Sequence, residues 1–150
     1  MQRETNPRPT LGHDWGVPLV HVYGPSTDTE DCSVTCDNVD AGCMAINHLI
    51  SCGRRHIAII GGGETYTVAT DRTKGALEAL AELGIEPAGP IRYGKWDESW
   101  GRAATRLLLD QGVTFDAVVC QNDQLARGCI DVLKQQGLRI PDDVAVIGRR

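Results

Sequence analysis

No apolar run in this chain approaches the roughly 20 residues that a membrane-spanning helix needs. The opening stretch MQRETNPRPTLGHDW lacks the apolar centre of a secretory signal. Both absences point to the cytoplasm. A basic excess is missing as well: 15 Lys and Arg stand against 20 Asp and Glu, a net charge of −5. A duplex-binding surface is therefore not expected. The clusters Arg54-Arg55-His56 and Arg149-Arg150 are too small to track a phosphate backbone. The 6 cysteines have no C-x2-C pair, and the 4 histidines do not cluster with them. No metal site and no cofactor is expected, and the cysteines read as small buried hydrophobes. Catalytic signatures are lacking too. No Ser or Cys sits in a nucleophile elbow, His13, His21, His48 and His56 fall away from strand ends, and Gly61-Gly62-Gly63 fits neither G-x4-G-K-[ST] nor G-x-G-x-x-G. That triplet reads as a sharp strand-to-helix turn, with an anion at the following helix N-terminus still compatible. No enzyme is expected.

What the chain does have is a rhythm. Four amphipathic stretches each run into a glycine and then into a short apolar segment, at Gly53, Gly84, Gly112 and Gly137. Glycine takes the left-handed conformation that often ends a helix at no steric cost. The segments that follow are short and apolar, as strands buried on both faces should be. Helix, glycine and strand in repetition predict an α/β fold with a doubly wound, mostly parallel, Rossmann-like sheet. At 150 residues the chain can bury about 68–70 % of its unfolded surface, so no staple is required.

The pattern places strands at 17–22, 34–36, 56–60, 91–93, 117–120 and 143–147. The first helix is capped by Asn38 or Asp40, and the second runs from about 67 to 83 with Ala69, Ala76, Leu80 and Leu83 inward. A third, capped by Asp97 or Ser99, turns Trp100, Ala103, Ala104, Leu107 and Leu108 inward. The fourth opens at 121–123 and buries Leu125, Cys129, Val132 and Leu133. Trp100 shares the inward face of its helix, which leaves Trp96 the freer indole, with a truncation cost below about 1 kcal/mol against about 3–5 kcal/mol for Trp100. Parallel sheets bind ligands at their strand carboxyl ends. Those ends collect Tyr23, Trp96, Asp97, Asn122, Asp123 and Arg150, with Arg72 a turn or two into the helix after the glycine triplet. Planar hydrogen-bonding groups beside an indole suit a polyol or a nucleoside.

Several segments together carry a resemblance: GVPLVHV, VTCDNVDAG, HLISCGRRHIAIIGG, ATDRTKGALEAL, GKWDESWG and DAVVCQNDQLARGCIDVLKQQGLRIPDDVAVIG, colinear over residues 17–148. The chain resembles the effector-binding domain of transcriptional regulators of the LacI/GalR family. That implies two periplasmic-binding-protein-like lobes with a small-molecule effector between them, and DNA contact only through a helix-turn-helix segment not contained in these 150 residues. It implies a loop or frayed end at 1–16, a remnant of the first lobe and crossover at 17–36, and the second lobe at 37–150. The first lobe would be incomplete. Arg72 and Asn122 match residues that hydrogen-bond effector, and Trp96 matches an aromatic that stacks on it. Tyr23 stands where the family often has aspartate. Arg149 and Arg150 stand where it has an aromatic or apolar residue and then an effector-binding aspartate. The expected ligand is a sugar, held weakly, or a sugar phosphate held by Arg72 with Arg150. No membrane is implied, and a homodimer is compatible. Three rivals stay open: a periplasmic sugar-binding protein of the same fold, a small doubly wound enzyme using Asp97 or Asp123, and a fragment without function.

Overall fold

The computed structural model describes residues 7–149, so Arg150 lies outside the described residues. The elements are β1 (Val20–Val22), β2 (Cys32–Val34), α1 (Asn38–Ser51), β3 (Ile57–Gly61), α2 (Thr67–Glu82), β4 (Arg92–Tyr93), α3 (Glu98–Asp110), β5 (Ala117–Cys120), α4 (Asp123–Gln135) and β6 (Ala145–Ile147). The main sheet is parallel throughout, in the order β4-β3-β5-β6, and β1 and β2 form a separate parallel pair. The four junction glycines all adopt positive φ, at 84° for Gly53, 65° for Gly84, 68° for Gly112 and 76° for Gly137. Each ends a helix and releases the chain toward a strand or its approach, as the rhythm predicts.

Strand alternation divides the core into two layers. Ile57, Ile59, Ala117 and Val119 face α1 and α2, where they meet Ile46, Leu49, Ala76 and Leu80. Ala58, Ile60, Val118 and Cys120 face α3 and α4, against Ala104, Leu108, Leu125, Cys129 and Leu133. Both helix pairs approach closely through glycine. A Cβ on Gly75 would stand 1.8 Å from the Val39 carbonyl oxygen, and one on Gly42 would stand 2.0 Å from that of Arg72. The second pair repeats this, with Gly101 under the Leu125 carbonyl at 2.3 Å and Gly128 under that of Glu98 at 2.1 Å.

Several local expectations need correction. Asp37 caps α1, its carboxylate accepting from the Asp40 amide at 2.9 Å, and Asn38 is the first helical residue. The buried face of α3 is Gly101, Ala104, Thr105 and Leu108, while Leu107 is 40 % exposed and Trp100 is only partly buried. The face is turned toward Gly101 and Thr105 because α4 comes closest there. Leu83 is exposed because it lies past the last turn of α2. β2 pairs Cys32 with Val20, so its residues precede the expected 34–36, and Cys36 lies in the lead to α1. Cys120 and Cys129 are buried as expected, but Cys32, Cys36 and Cys52 are exposed and Cys43 is intermediate. Among the described residues no His/Cys/Asp/Glu group could hold a metal, and no helix is long and apolar enough to cross a membrane.

Candidate functional site

Strand order reverses between β3 and β5: the chain passes from β3 to its neighbour β4, then crosses to β5 on the other side. The crevice outside such a reversal is where open parallel sheets take ligands. Here it is framed by Gly61 and Gly62 at the end of β3 and by Gln121 and Asn122 at the end of β5.

Gln121 ties the crevice together. Its side chain is buried, its Oε1 accepts from the Gly62 amide at 3.2 Å, and its Nε2 donates to the Ala69 carbonyl and to Thr73 Oγ1, each at 2.9 Å. Tyr93 donates its hydroxyl to the same Thr73 oxygen at 2.8 Å. Sequence reasoning gave Gln121 no role. The available signal was a long amide directly after an apolar strand, at a point where both β3 and α2 present backbone polar groups.

Arg72 is half-buried at the first turns of α2. Its Nε donates to Asn38 Oδ1 at 3.1 Å and its Nη1 to the Gln121 carbonyl. Burial above all, and then the positive charge of Arg149, hold its pKa below the usual arginine value. Asn122 caps α4 through Oδ1, which accepts from the Leu125 amide at 2.8 Å, while its Nδ2 reaches the Trp96 carbonyl at 3.4 Å. Asp123 is exposed, and its amide donates to the Arg149 carbonyl at 3.0 Å. Asp97 caps α3; the Ser99 hydroxyl, then the Trp100 amide, hold its carboxyl below the ordinary aspartate range. Tyr23 follows β1 in the separate strand pair, where its amide donates to the Val34 carbonyl at 3.0 Å. Arg72, Trp96, Asn122 and Asp123 thus share the rim of the main sheet, and Tyr23 belongs to the separate strand pair.

The glycine triplet is a seat for aromatic rings. A Cβ on Gly62 would lie 2.1 Å from the Trp96 indole, and one on Gly63 would lie 2.7 Å from the Tyr66 ring. Tyr66 meets Trp96 edge-on, with centroids 6.3 Å apart and planes at 76°. Trp100 covers Gly94 and donates Nε1–H to the Gly61 carbonyl at 3.0 Å. Both indoles pack on the α3/α4 core layer, so the expected contrast between a free Trp96 and a core Trp100 narrows. Trp100→Ala should cost about 3 kcal/mol, through lost packing and a lost hydrogen bond, and Trp96→Ala about 2 kcal/mol. Urea melts of the two variants measure this; a Trp96→Ala cost under about 0.5 kcal/mol would show that indole to be unpacked.

A cleft of about 480 Å³ opens beside this rim, on the α1/α2 side of the sheet. Arg72, Gln121, Gly148 and Arg149 line its upper end, and Met44, Ala45, Ile59, Val119 and Ile147 its body. His48 is exposed and borders this cleft.

The periplasmic binding protein-like domain family matches residues 46–150. The HTH-type transcriptional regulator CelR of Thermobifida fusca is 35% identical over 146 residues, covering 95% of this chain and 43% of the relative. A sugar-binding transcriptional regulator of the LacI family from Escherichia coli, solved with phosphate, superposes with a TM-score of 0.80 at 31% identity, covering 87% of this chain and 48% of that one. The CelR–cellobiose complex superposes with a TM-score of 0.77 at 35% identity, covering 89% of this chain and 42% of that one. The chain spans less than half the length of each of these proteins. With its parallel sheet and its switch-point crevice, the chain belongs to the periplasmic binding protein-like domain family, and the relatives it is similar to are LacI-type regulators.

Proposed function

We propose that this chain is part of the effector-sensing domain of a LacI-type transcriptional regulator and binds a small polyhydroxylated ligand without chemical change. The carrying observation is the rim itself. The switch point places Arg72, Asn122 and Trp96 around the carboxyl ends of β3 and β5, with Arg72 Nη1 donating to the Gln121 carbonyl and Asn122 Nδ2 to the Trp96 carbonyl. Planar donors read vicinal hydroxyls, and the indole covers the C–H face of a pyranose. In this reading residues 37–150 are the second lobe, and residues 17–36 are the last strands of the first lobe with its crossover. The surface of β1 and β2 supports that division: Val20 and Val22 are each 51% exposed and Val34 59%. A two-stranded pair with bare valines is marginal alone and suits the edge of a larger sheet. DNA would be held by a helix-turn-helix segment. The four helices described here alternate with strands and form no such unit. Effector would act by shifting the population between lobe arrangements, in a cytoplasmic, non-enzymatic protein.

Half a cleft binds weakly. Two or three missing charge-assisted hydrogen bonds remove about 3–9 kcal/mol, which places neutral sugars at about millimolar dissociation constants or weaker. Titration calorimetry with cellobiose should show binding in that range, weakened at least about fivefold by Arg72→Gln and by Trp96→Phe. Equal affinity in wild type and both variants would overturn the assignment of the rim.

A further inference from the structure

Arg72 stands on α2, but both of its acceptors belong to other parts of the chain. Nη1 donates to the Gln121 carbonyl just past β5, and Nε donates to the Asn38 amide oxygen, on the first turn of α1, at 3.1 Å. The first acceptor is main chain and the second is a side chain. The Asn38 amide is itself oriented, because its Nδ2 donates to the Cys36 carbonyl at 3.2 Å. A reversed amide would set its NH2 against the Arg72 N–H and its oxygen against the Cys36 carbonyl. Asn38 is not the cap of α1, a task that Asp37 performs on the Asp40 amide. Its reach to Arg72 depends on the close approach of α1 and α2. Gly42, one turn further along α1, lies under the Arg72 carbonyl, where a Cβ would stand 2.0 Å from the oxygen. A planar guanidinium held at one nitrogen can swing about that bond, and held at two it cannot. An arginine side chain left loose in the free protein must be ordered when ligand binds, at a cost in affinity. Neither bond uses Nη2.

We infer that Asn38 is a positioning residue of the effector rim. It fixes the plane of the Arg72 guanidinium from α1, touches no ligand itself, and leaves Nη2 for ligand hydroxyls. The inference rests on the rim reading and adds to it a residue outside the strand ends, brought there by the packing of α1 on α2. Loss of the Asn38 oxygen should therefore reach the ligand through Arg72 and by no other route.

The test is a cellobiose titration of the isotope-labelled chain, followed at the Gly62 and Asn122 amide resonances. Asn38→Ala should weaken binding about fivefold, and Asn38→Asp, whose carboxylate still accepts from Nε, should stay within about twofold of wild type. In an Arg72→Gln background, Asn38→Ala should change affinity by less than about twofold, because the group it positions is gone. Both Asn38 variants should fold, since Asp37 still caps α1, and urea melts check this. In the free chain the Arg72 Nε–H should exchange with water about tenfold faster in Asn38→Ala than in wild type, and Asn38→Asp should restore the slow exchange. Equal losses with and without Arg72, an Asn38→Asp variant as weak as Asn38→Ala, or a wild-type Nε–H that exchanges as fast as in Asn38→Ala would each overturn the inference. A weakened Arg72→Gln beside an unchanged Asn38→Ala would overturn it alone and leave the rim reading standing. An Arg72→Gln variant that binds cellobiose as wild type does would overturn the rim reading, and this inference with it.

Discussion

Gly75→Val should destabilise the chain by about 3 kcal/mol or more, a large fraction of the roughly 5–15 kcal/mol expected for a domain. The Cβ of any replacement would stand 1.8 Å from the Val39 carbonyl oxygen and 3.1 Å from the Cys43 amide nitrogen. Both are backbone atoms of α1, so no rotamer change relieves the clash and the two helices must separate. Separation opens the layer in which Ile46 and Leu49 meet Ala76 and Leu80. It also pulls Asn38 from Arg72, since that hydrogen bond spans the same pair of helices. Gly137→Ala is the comparison: its Cβ would meet nothing within 4 Å, and only the φ of 76° is strained. That variant should lose about 1 kcal/mol. Urea midpoints at constant slope measure both. A Gly75→Val cost within about 1 kcal/mol of wild type would mean that α1 and α2 are not packed through this glycine.

Gln121→Ala should cost about 2–4 kcal/mol, because it leaves the Gly62 amide without its partner in a buried place and takes from Thr73 one of its two donors. The isosteric Gln121→Glu separates hydrogen bonding from volume. A carboxylate can still accept from Gly62 but cannot donate to the Ala69 carbonyl. Burial and that carbonyl raise its folded pKa above the unfolded value of about 4.3. Its contribution is therefore complete below about pH 4 and lost as pH rises through the raised folded value. Denaturation of Gln121→Glu at several pH values should show the loss relative to wild type growing from acid to neutral pH. A loss independent of pH would mean that the side chain is not held by the Ala69 carbonyl.

The sequence rhythm carried the architecture because its signals are local. Gly53, Gly84, Gly112 and Gly137 mark four helix ends, and the runs IAII and AVVC form strands fully buried on both faces. The inward face of α4 was legible for the same reason, since Leu125, Cys129, Val132 and Leu133 follow helical spacing. What escaped depends on contacts between distant segments. Gly101 and Thr105 are not apolar, so the face of α3 that α4 covers could not be read from hydrophobic periodicity. Gly61, Gly62 and Gly63 resembled a turn, and only the fold shows Tyr93, Trp96 and Tyr66 lying over them. Gln121 needs Ala69 and Thr73, 52 and 48 residues away, before its amide has a purpose. Arg149 and Arg72 are 77 positions apart, and their shared cleft is a property of the sheet order.

The proposed effector site lies at the carboxyl ends of β3 and β5. Amide and indole resonances of the isotope-labelled chain, followed during a cellobiose titration, report this residue by residue. The predicted result is movement at Gly62, Gly63, Asn122 and the Trp96 indole N–H. The junction glycines Gly53, Gly112 and Gly137, which lie before strands, and the Trp15 indole should stay fixed. Movement confined to the junction glycines, with Gly62 and Trp96 unchanged, would contradict it.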